Sequence, residues 1–386
     1  MAPNLVSTVP TGVLYDDETK VSGRKTKPIE AVRGKAEITD KKPPMQIVWR
    51  NAILFAYLHV AAMYGLYLAI TSAKFYTDIF AYALYILGGL GITAGAHRLW
   101  SHKSYKAKLP LRVFLMFCNT LAFQNCIWEW ARDHRVHHKF SETDADPHNA
   151  KNGLFFSHIG WLLVKKHPDV KNKGKVIDFS DLEMDPVVAF QKKYYLIMMP
   201  LICFVMPTVI PVYFWGETVS NAWFVATLFR YCFTLNTTWL VNSAAHFFGA
   251  KPYDRMINPA ENLTVALGAL GEGWHNYHHV FPWDYKAAEL GNYRFNITTG
   301  FIDAMARIGQ AYDLKTVSPK MVAARAKRTG DGSHIPRAEL SGLRDLNPDH
   351  HHHSIEGDVW GWDDADMKLE DRKYATIINQ APSKEE

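Results

Sequence analysis

The chain has 386 residues, 48% of them hydrophobic, and a formal net charge of +5. Length alone leaves one large domain or two ordinary domains open. The four cysteines form no CxxC pair and sit in or beside apolar segments, which indicates reduced packing residues rather than a disulfide framework. The mean hydropathy lies slightly below zero, but this average combines charged ends with strongly apolar blocks between them.

Four apolar blocks follow a polar N-terminal tail, predicted at residues 1–47 to lie in the cytosol. Each block is about 18 to 23 residues long, enough to cross the hydrocarbon core of a bilayer. No acidic residue lies inside any block, whereas an amphipathic helix of a soluble protein needs a polar face. The blocks predict four membrane helices, with buried core helices of a large soluble enzyme as the alternative. The predicted spans cover residues 52–70, 79–96, 194–215 and 219–241.

Short linkers pair these blocks into two antiparallel hairpins. The linkers at residues 71–78 and 216–218 place both termini and the long central loop on one side of the membrane. That side carries most of the lysines and arginines that flank the spans, so the positive-inside rule predicts that it is cytosolic. No early apolar run is followed by a cleavage site, so no signal peptide is expected.

Nine histidines fall on the predicted cytosolic side, eight of them in the motifs HRLWSH, HRVHH and HNYHH. The ninth lies four residues after Asn242, in VNSAAH. In an α-helix the i, i+3 and i+4 positions of HxxHH share one face, so three imidazoles can point to the same place. A spacing of five, as in HRLWSH, covers about 140° around an α-helix, so one of its histidines is expected where the helix ends. The nine are His97, His102, His134, His137, His138, His246, His275, His278 and His279.

Nine imidazoles are too many for one ion and suit two. Zinc, copper, iron and nickel all accept imidazole, so the ligand type does not identify the metal. The sequence has neither HExxH of a zinc protease nor CxxCH of a haem site, and no GxGxxG follows a strand. A redox metal pair at a membrane surface, supplied with electrons by another protein, is the remaining interpretation. Nearby carboxylates could orient the imidazoles, or they could form a solvated turn. They are Glu129, Asp133, Glu142, Asp144, Asp146 and Glu272.

Four stretches around these histidines resemble the integral-membrane acyl-CoA desaturases of the stearoyl-CoA desaturase type, and insect members most closely. They read GITAGAHRLWSHKSYKA, EWARDHRVHHKFSETDADPHN, TWLVNSAAH and GEGWHNYHHVFPWDYKAAE, within a match over about residues 48–332. The resemblance implies an all-α membrane protein, with four transmembrane helices as a stem and a cytosolic helical cap holding a di-iron site. The nine histidines correspond to the family's iron ligands, and Asn242 to the residue that holds a metal-bound water.

The resemblance also implies a reaction and its partners. Family members reduce O2 at the two iron ions and introduce a cis double bond into a fatty acyl-CoA. Their electrons come from cytochrome b5 and its NADH reductase, and no nucleic acid is involved. No HPGG haem motif appears in the chain, so cytochrome b5 is expected to dock as a separate protein.

Substrate residues follow from the same resemblance. An acyl tunnel is closed around the reacting carbons by Gln124, Trp130 and Thr238, and its far end lies at Ala81 and Tyr85 on the second span. Tyr85 would limit chain length if it ends the tunnel, or could face lipid instead. The CoA positions are expected to bind phosphates and adjoining groups, with surface lysines and a packing tryptophan as the alternative. They are Asn51, Asn125, Arg132, Lys165, Lys166 and Trp239.

The sequence therefore predicts an acyl-CoA desaturase of the endoplasmic reticulum membrane, with both termini cytosolic, acting at Δ9 on saturated C16 to C18 chains. The tetrapeptide NPAE at residues 258–261 looks nearer to Δ9 than to Δ11 types. A Δ11 or other-position desaturase of pheromone synthesis, a hydroxylase with the same di-iron site and a silent scaffold stay open. A metal transporter is a remote alternative, because only His59 and Arg230 would lie near the bilayer midplane.

The remaining C-terminal residues lie outside the resemblance. The membrane desaturase domain is predicted at residues 48–332, and residues 333–386 are predicted to form a charged, flexible tail. Within that tail, the run His350 to His353 is interpreted as a flexible surface segment rather than a metal site.

Overall fold

The computed structural model describes residues 45–289, 293–334 and 358–380, which are predominantly helical. Two long helices form the first hairpin: α1 is Trp49–Thr71 and α2 is Phe75–Ser101. The last part of α2, Gly91–Ser101, is wound as a π-helix. Residues 72–74 connect the two helices, as the short predicted linker requires.

The central part of the chain begins with two helices that pack against α2. α3 is Leu109–Ala122 and α4 is Ile127–Lys139. A Cβ atom at Gly91 would lie 2.2 Å from backbone atoms of Cys118 and Asn119, so only glycine allows the two backbones to meet here. Shorter helices follow at Ala150–Asn152, Phe156–Gly160, Trp161–Leu163, α5 (Pro168–Gly174) and α6 (Ser180–Met184).

The second long hairpin consists of α7, Pro186–Trp215, and α8, residues 219–242. Asp185 caps α7 by accepting from the Val187 N–H at 2.8 Å. The Glu217 carboxylate in the connecting turn accepts from the Lys74 N–H at 2.8 Å and from the Thr77 hydroxyl at 2.6 Å. The turns of the two hairpins therefore lie together, on the side opposite to the central part of the chain.

Three of the described helices, α1, α2 and α7, are long and apolar enough to cross a membrane. They contain the predicted spans at 52–70, 79–96 and 194–215. The fourth predicted span, 219–241, is helical, but its helix does not reach the same hydropathy. The reason is its polar content: Arg230 is buried and donates to the carbonyls of Leu121 at 3.0 Å and Cys203 at 2.9 Å. Because the hydrogen bonds of such a side chain are formed inside the protein, it lowers the mean hydropathy of the helix without exposing a charge.

Short elements complete the part of the molecule that surrounds the histidines. The helices are α9 (Ala244–Phe247), α10 (Leu263–Gly268), α11 (His275–Val280), Tyr293–Phe295, α12 (Ile297–Arg307), α13 (Pro319–Thr329) and α14 (Leu369–Tyr374). The strands are β1 (Lys106–Ala107), β2 (Ala311–Tyr312), β3 (Leu314–Val317) and β4 (Ala375–Ile378), paired antiparallel as β1–β2 and β3–β4.

A buried arginine connects α2 to these later elements. The Arg98 guanidinium donates to Glu272 Oε1 at 3.0 Å, to the Tyr285 carbonyl at 3.0 Å and to the Thr299 hydroxyl at 2.9 Å. Because Arg98 is almost fully buried, these acceptors replace its hydration and fix the helix that carries the first histidine motif.

The described part of the C-terminal tail is packed, unlike the flexible tail that the sequence predicts for residues 333–386. We refer to residues 358–380 as the C-terminal strap. Its Trp360 and Met367 are buried, and its strand β4 pairs with β3 from Leu314↔Ile378 to Val317↔Ala375. Burial of Trp360 and Met367, together with the pairing of β4 with β3, thus holds this charged segment in place. The run His350 to His353 lies outside the described residues.

Candidate metal centre

The π-helical end of α2 brings its two histidines together. The His102 N–H donates to the His97 carbonyl at 3.1 Å, an i→i+5 bond that defines a π turn. In this wider winding a spacing of five is close to one full turn, whereas in an α-helix it would separate the side chains by about 140°. The two imidazole rings lie 4.7 Å apart. His102 also caps the helix, so the expectation that one of the pair marks the helix end agrees with the structure.

The two HxxHH motifs lie on α4 and α11, and each contributes to two groups of histidines. In both motifs the i and i+4 residues join one group, while the i+3 residue joins the other. Helical geometry permits this division, since position i+4 lies about 40° from i on one side and position i+3 about 60° from i on the other. The neighbouring elements decide which group each ring joins. The five-histidine group is His97, His102, His134, His138 and His278, and the four-histidine group is His137, His246, His275 and His279.

The ring nitrogens within each group converge. In the five-histidine group, Nε2 of His278 lies 3.0 Å from Nε2 of both His97 and His138. In the four-histidine group, Nε2 of His275 lies 3.0 Å from Nε2 of His246 and 3.1 Å from that of His279. Two nitrogens bound at about 2.1 Å and at right angles to one ion are separated by about 3.0 Å. The spacing of the ring nitrogens within each group therefore fits a set of ligands around one cation, so that each group could hold its own ion.

Burial favours the neutral form of most of these imidazoles. Removal from water, reinforced by the neighbouring imidazoles, holds the pKa of six of them well below its usual value. Neutral rings offer a lone pair to a metal ion at pH 7, which a protonated ring cannot. The six are His102, His134, His138, His275, His278 and His279.

Carboxylates orient three of the rings from outside. His137 Nδ1 donates to Asp146 at 2.9 Å, and His246 Nδ1 donates to Glu142 at 3.0 Å. His97 Nδ1 lies 3.0 Å from Glu272 Oε2. A proton on Nδ1 leaves the Nε2 lone pair free to face the group. Asp133, another acidic residue considered from the sequence, pairs with Arg132 and Lys166 instead.

Two features of the site were missed by the sequence reasoning. The rings of His148 and His137 lie 4.2 Å apart, and the backbone N–H of His148 donates to Asp146 at 3.1 Å. It ends the stretch HRVHHKFSETDADPH, so proximity in sequence was the available signal, but it has no HxxHH spacing. The second feature is the Trp360 carbonyl, which accepts a hydrogen bond from His102 Nδ1. No sequence pattern points to a backbone carbonyl 258 positions away.

A mostly apolar cavity reaches the two groups of histidines. His97, His134, His137 and His275 line one part of its wall together with Asn242. Three predicted tunnel residues also line it: Tyr85, Trp130 and Thr238. Gln124 supports this wall by donating to the Thr238 hydroxyl at 2.9 Å.

Tyr85 lies in the wall of this cavity. This side chain is buried and its hydroxyl donates to the Gly268 carbonyl, so it faces the protein interior rather than lipid. Ala81, one helical turn earlier, is not among the residues of the cavity wall and packs with Leu68, Val225 and Ala226.

The six predicted CoA positions occupy several environments. Arg132, Asp133 and Lys166 form an ion-pair cluster, with Lys165 beside it on the surface. The Asn51 amide donates to the Leu162 carbonyl at 2.8 Å, and Asn125 adopts a left-handed backbone with φ 72°. Trp239 is buried in the core, 5.5 Å from the Phe55 ring, as the packing alternative describes.

Comparison with known proteins assigns the chain to a family. The model of the fatty acid desaturase family matches residues 76–289, more than half of the chain. An acyl-CoA Delta-9 desaturase of Acheta domesticus is 65% identical over 98% of both chains. An acyl-CoA Delta(11) desaturase of Spodoptera littoralis is 58% identical over 79% of this chain and 89% of its own length. The stearoyl-CoA desaturase of Homo sapiens is 59% identical over 76% of this chain and 81% of its own length. The chain belongs to the fatty acid desaturase family.

Proposed function

We propose that this protein is an acyl-CoA Δ9 desaturase of the endoplasmic reticulum membrane. It introduces a cis double bond into saturated C16 to C18 acyl-CoA, using O2 and electrons from cytochrome b5 and its NADH reductase. One observation carries the proposal: two converging groups of histidines meet at an apolar cavity whose wall includes Tyr85.

The nine histidines would hold two iron ions, the five-histidine group one and the four-histidine group the other, with Asn242 holding a water at the cavity wall. The donor set fits, because neutral imidazole is a good ligand for iron and the ring nitrogens already converge. When bound, the ions supply the oxygen-activating redox chemistry that side chains lack. The protein's own contribution is to keep the nitrogens unprotonated and correctly aimed.

The cavity positions the acyl chain for this chemistry. Trp130 stacks on His134 with the rings 4.8 Å apart, so an acyl chain that contacts Trp130 lies directly beside the five-histidine group. Thr238 and Gln124 are hydrogen-bonded to each other and hold the facing wall in place. An apolar enclosed site also excludes water and orients the reacting methylenes. This orientation contributes more to the rate than any electronic effect of these residues.

The two ends of the substrate are assigned to different regions. The hydrocarbon terminus ends at Tyr85, with Ala81 one helical turn behind the cavity end. The CoA phosphates meet Arg132, Lys165 and Lys166, since guanidinium and ammonium groups form charge-assisted hydrogen bonds with phosphate. Asn51, Asn125 and Trp239 complete the CoA region, with Trp239 acting through its packing.

The membrane arrangement follows from the two hairpins. We infer that α8 is the fourth span, next to the three apolar helices, and that both termini and the histidine groups face the cytosol. The joined turns around Glu217 then face the lumen. The basic cytosolic side would attract an acidic electron donor such as cytochrome b5.

The relatives favour Δ9 without excluding every neighbouring regiochemistry. The cricket Delta-9 desaturase shares more residues over more of the chain than the moth Delta(11) desaturase does. Nothing in the described site favours a hydroxylase. A transporter has no support either, because Arg230 is fully engaged by backbone carbonyls and His59 hydrogen-bonds the Phe55 carbonyl at 2.8 Å.

Expression in yeast that lacks its own Δ9 desaturase tests the proposal directly. Growth without added unsaturated fatty acid, together with double bonds at carbon 9, is the expected result. Double bonds at carbon 11 would retain the chemistry and contradict the Δ9 assignment. Hydroxylated fatty acids, or no new unsaturation from well-expressed protein, would contradict the desaturase assignment itself.

A further inference from the structure

The C-terminal strap contacts the five-histidine group directly. The Trp360 carbonyl accepts from His102 Nδ1, and the Trp362 N–H donates to the His102 carbonyl at 3.1 Å. A Cβ at Gly361 would lie 2.6 Å from the His102 carbonyl oxygen, so the strap backbone lies directly against that of His102. His102 is thus held on its ring and on its backbone by residues 360–362.

The contact with the ring determines which nitrogen faces the group. A backbone carbonyl can only accept, so His102 must carry its proton on Nδ1. Its Nε2 lone pair then points to the interior, where it lies 2.9 Å from Nε2 of His134. The strap carbonyl performs for His102 the role that carboxylates perform for His97, His137 and His246.

Two cations of α4, the helix that carries His134 and His138, hold the strap in place. The Arg135 guanidinium lies over the Trp360 ring at 4.2 Å and is itself fixed by hydrogen bonds to Asp181 at 2.6 and 2.8 Å. Lys139 Nζ donates to Asp364 at 3.2 Å and pairs with Asp366.

Asp364 is the centre of this attachment. Its buried carboxylate also accepts from the Trp360 N–H at 2.8 Å and from the Asp366 N–H at 3.1 Å. One side chain thus shapes the turn that presents the Trp360 carbonyl and binds that turn to α4. Removal of this carboxylate leaves the buried Lys139 with only the exposed Asp366 as a carboxylate partner, a costly arrangement.

We propose that the C-terminal strap is a positioning element of the five-histidine iron site, and that the Trp360 carbonyl orients His102 for iron binding. The inference rests on the proposed function, because it takes the two groups to bind iron. The strap acts through His102 and touches no substrate.

Iron retention by the purified full-length protein tests this proposal. The variant Asp364→Ala and a chain that ends before Asp358 are compared with the unchanged protein, each challenged with increasing chelator while bound iron is counted. We expect one of the two ions to be held about 10- to 100-fold more weakly in both variants, as for loss of other outer partners of metal ligands. The second ion, in the four-histidine group, should be retained as before.

A matched control and a rescue keep the result interpretable. Glu370→Gln changes an exposed charge of the same strap and should leave iron retention unchanged. A synthetic peptide of residues 358–380, added to the shortened chain, should restore tight binding of the iron in the five-histidine group. Should the shortened chain fail to fold, Asp364→Ala in the full chain decides.

Equal retention of both ions by Asp364→Ala and by the unchanged protein would overturn the strap proposal while leaving the desaturase assignment intact. Failure of the unchanged protein to bind iron would instead contradict the proposed function. The two failures therefore give different results.

Discussion

The five-histidine and four-histidine groups differ in what holds their rings from outside. In the four-histidine group, carboxylates orient His137 and His246. In the five-histidine group, one carboxylate lies against His97 and a backbone carbonyl orients His102. Among the described residues, Nδ1 of His138 and of His278 has no hydrogen-bond partner.

The partners also lie at different separations along the chain. Asp146 lies nine positions from His137 and Glu142 lies 104 positions from His246, whereas Trp360 lies 258 positions from His102. Carboxylate partners also raise the basicity of an imidazole more than a neutral carbonyl does. We therefore expect the four-histidine group to retain its ion more firmly and the five-histidine group to depend more on the packing of the whole fold.

The largest effect is expected from removing one ligand of each group. His138 and His279 stack at 4.2 Å but belong to different groups. His138→Ala and His279→Ala should each abolish product while membrane insertion stays intact, and each should leave about one iron per chain. Fatty acid analysis, membrane fractionation and iron counting provide the three readouts. Unchanged turnover in either variant would show that its assignment as a ligand is wrong.

Substituting the carboxylate partners one at a time should distinguish an effect on iron affinity from an effect on the stability of the fold. Asp146→Asn should weaken iron binding about 10- to 100-fold. Glu272→Gln should also destabilise the fold, by about 3 kcal/mol, because Glu272 is the buried partner of Arg98 as well as of His97. Thermal unfolding and chelator titration measure the two effects. If Glu272→Gln leaves the free energy of unfolding unchanged, the buried ion pair does not stabilise the fold as argued.

Substitution of Tyr85 tests whether the cavity can be lengthened while both groups of histidines stay intact. Tyr85→Ala removes the phenol from the cavity wall and should shift product toward longer acyl chains, with iron content and double-bond position unchanged. Gas chromatography of products from a mixture of acyl-CoA lengths measures the shift. Phe233→Ala is a suitable control, because Phe233 packs on Tyr85 at 5.0 Å without being part of the cavity wall. The same chain-length profile in Tyr85→Ala and in the unchanged protein would contradict the tunnel assignment.

The smallest effect is expected at the predicted CoA region, which supplies no member of either group of histidines. Lys166→Ala should raise KM for acyl-CoA by up to about fivefold with kcat unchanged, since an exposed ion pair contributes up to about 1 kcal/mol. Lys171→Ala, on exposed α5, should leave KM unchanged. An equal rise in both variants would indicate a general surface-charge effect rather than a phosphate contact.

Much of the site follows from local geometry that sequence can express. The i, i+3, i+4 spacing on α4 and α11 predicts imidazoles on one helix face, and the hydropathy blocks predict α1, α2 and α7. The division of each motif between two groups is not predictable in the same way, because it depends on which neighbours approach each helix. The π winding around His97 likewise depends on the close approach of α3 to Gly91.

The strap shows where composition misleads. Its many charges predict a flexible tail, and those charges are instead ion-pair partners, as Asp364 is for Lys139. Trp360 and Met367 were the available signal, but two apolar residues in a polar segment do not identify the surface that they cover. The fourth predicted span shows the opposite case, since buried Arg230 lowers the hydropathy of a helix that packs among apolar neighbours.

The position of the strap in the chain has a consequence for biosynthesis. A ribosome makes all nine histidines before it makes Trp360, which follows His279 by 81 positions. The nascent chain can therefore complete the four-histidine group while the five-histidine group still lacks the carbonyl that orients His102. The five-histidine group would then reach its full affinity for iron only after the strap has left the ribosome.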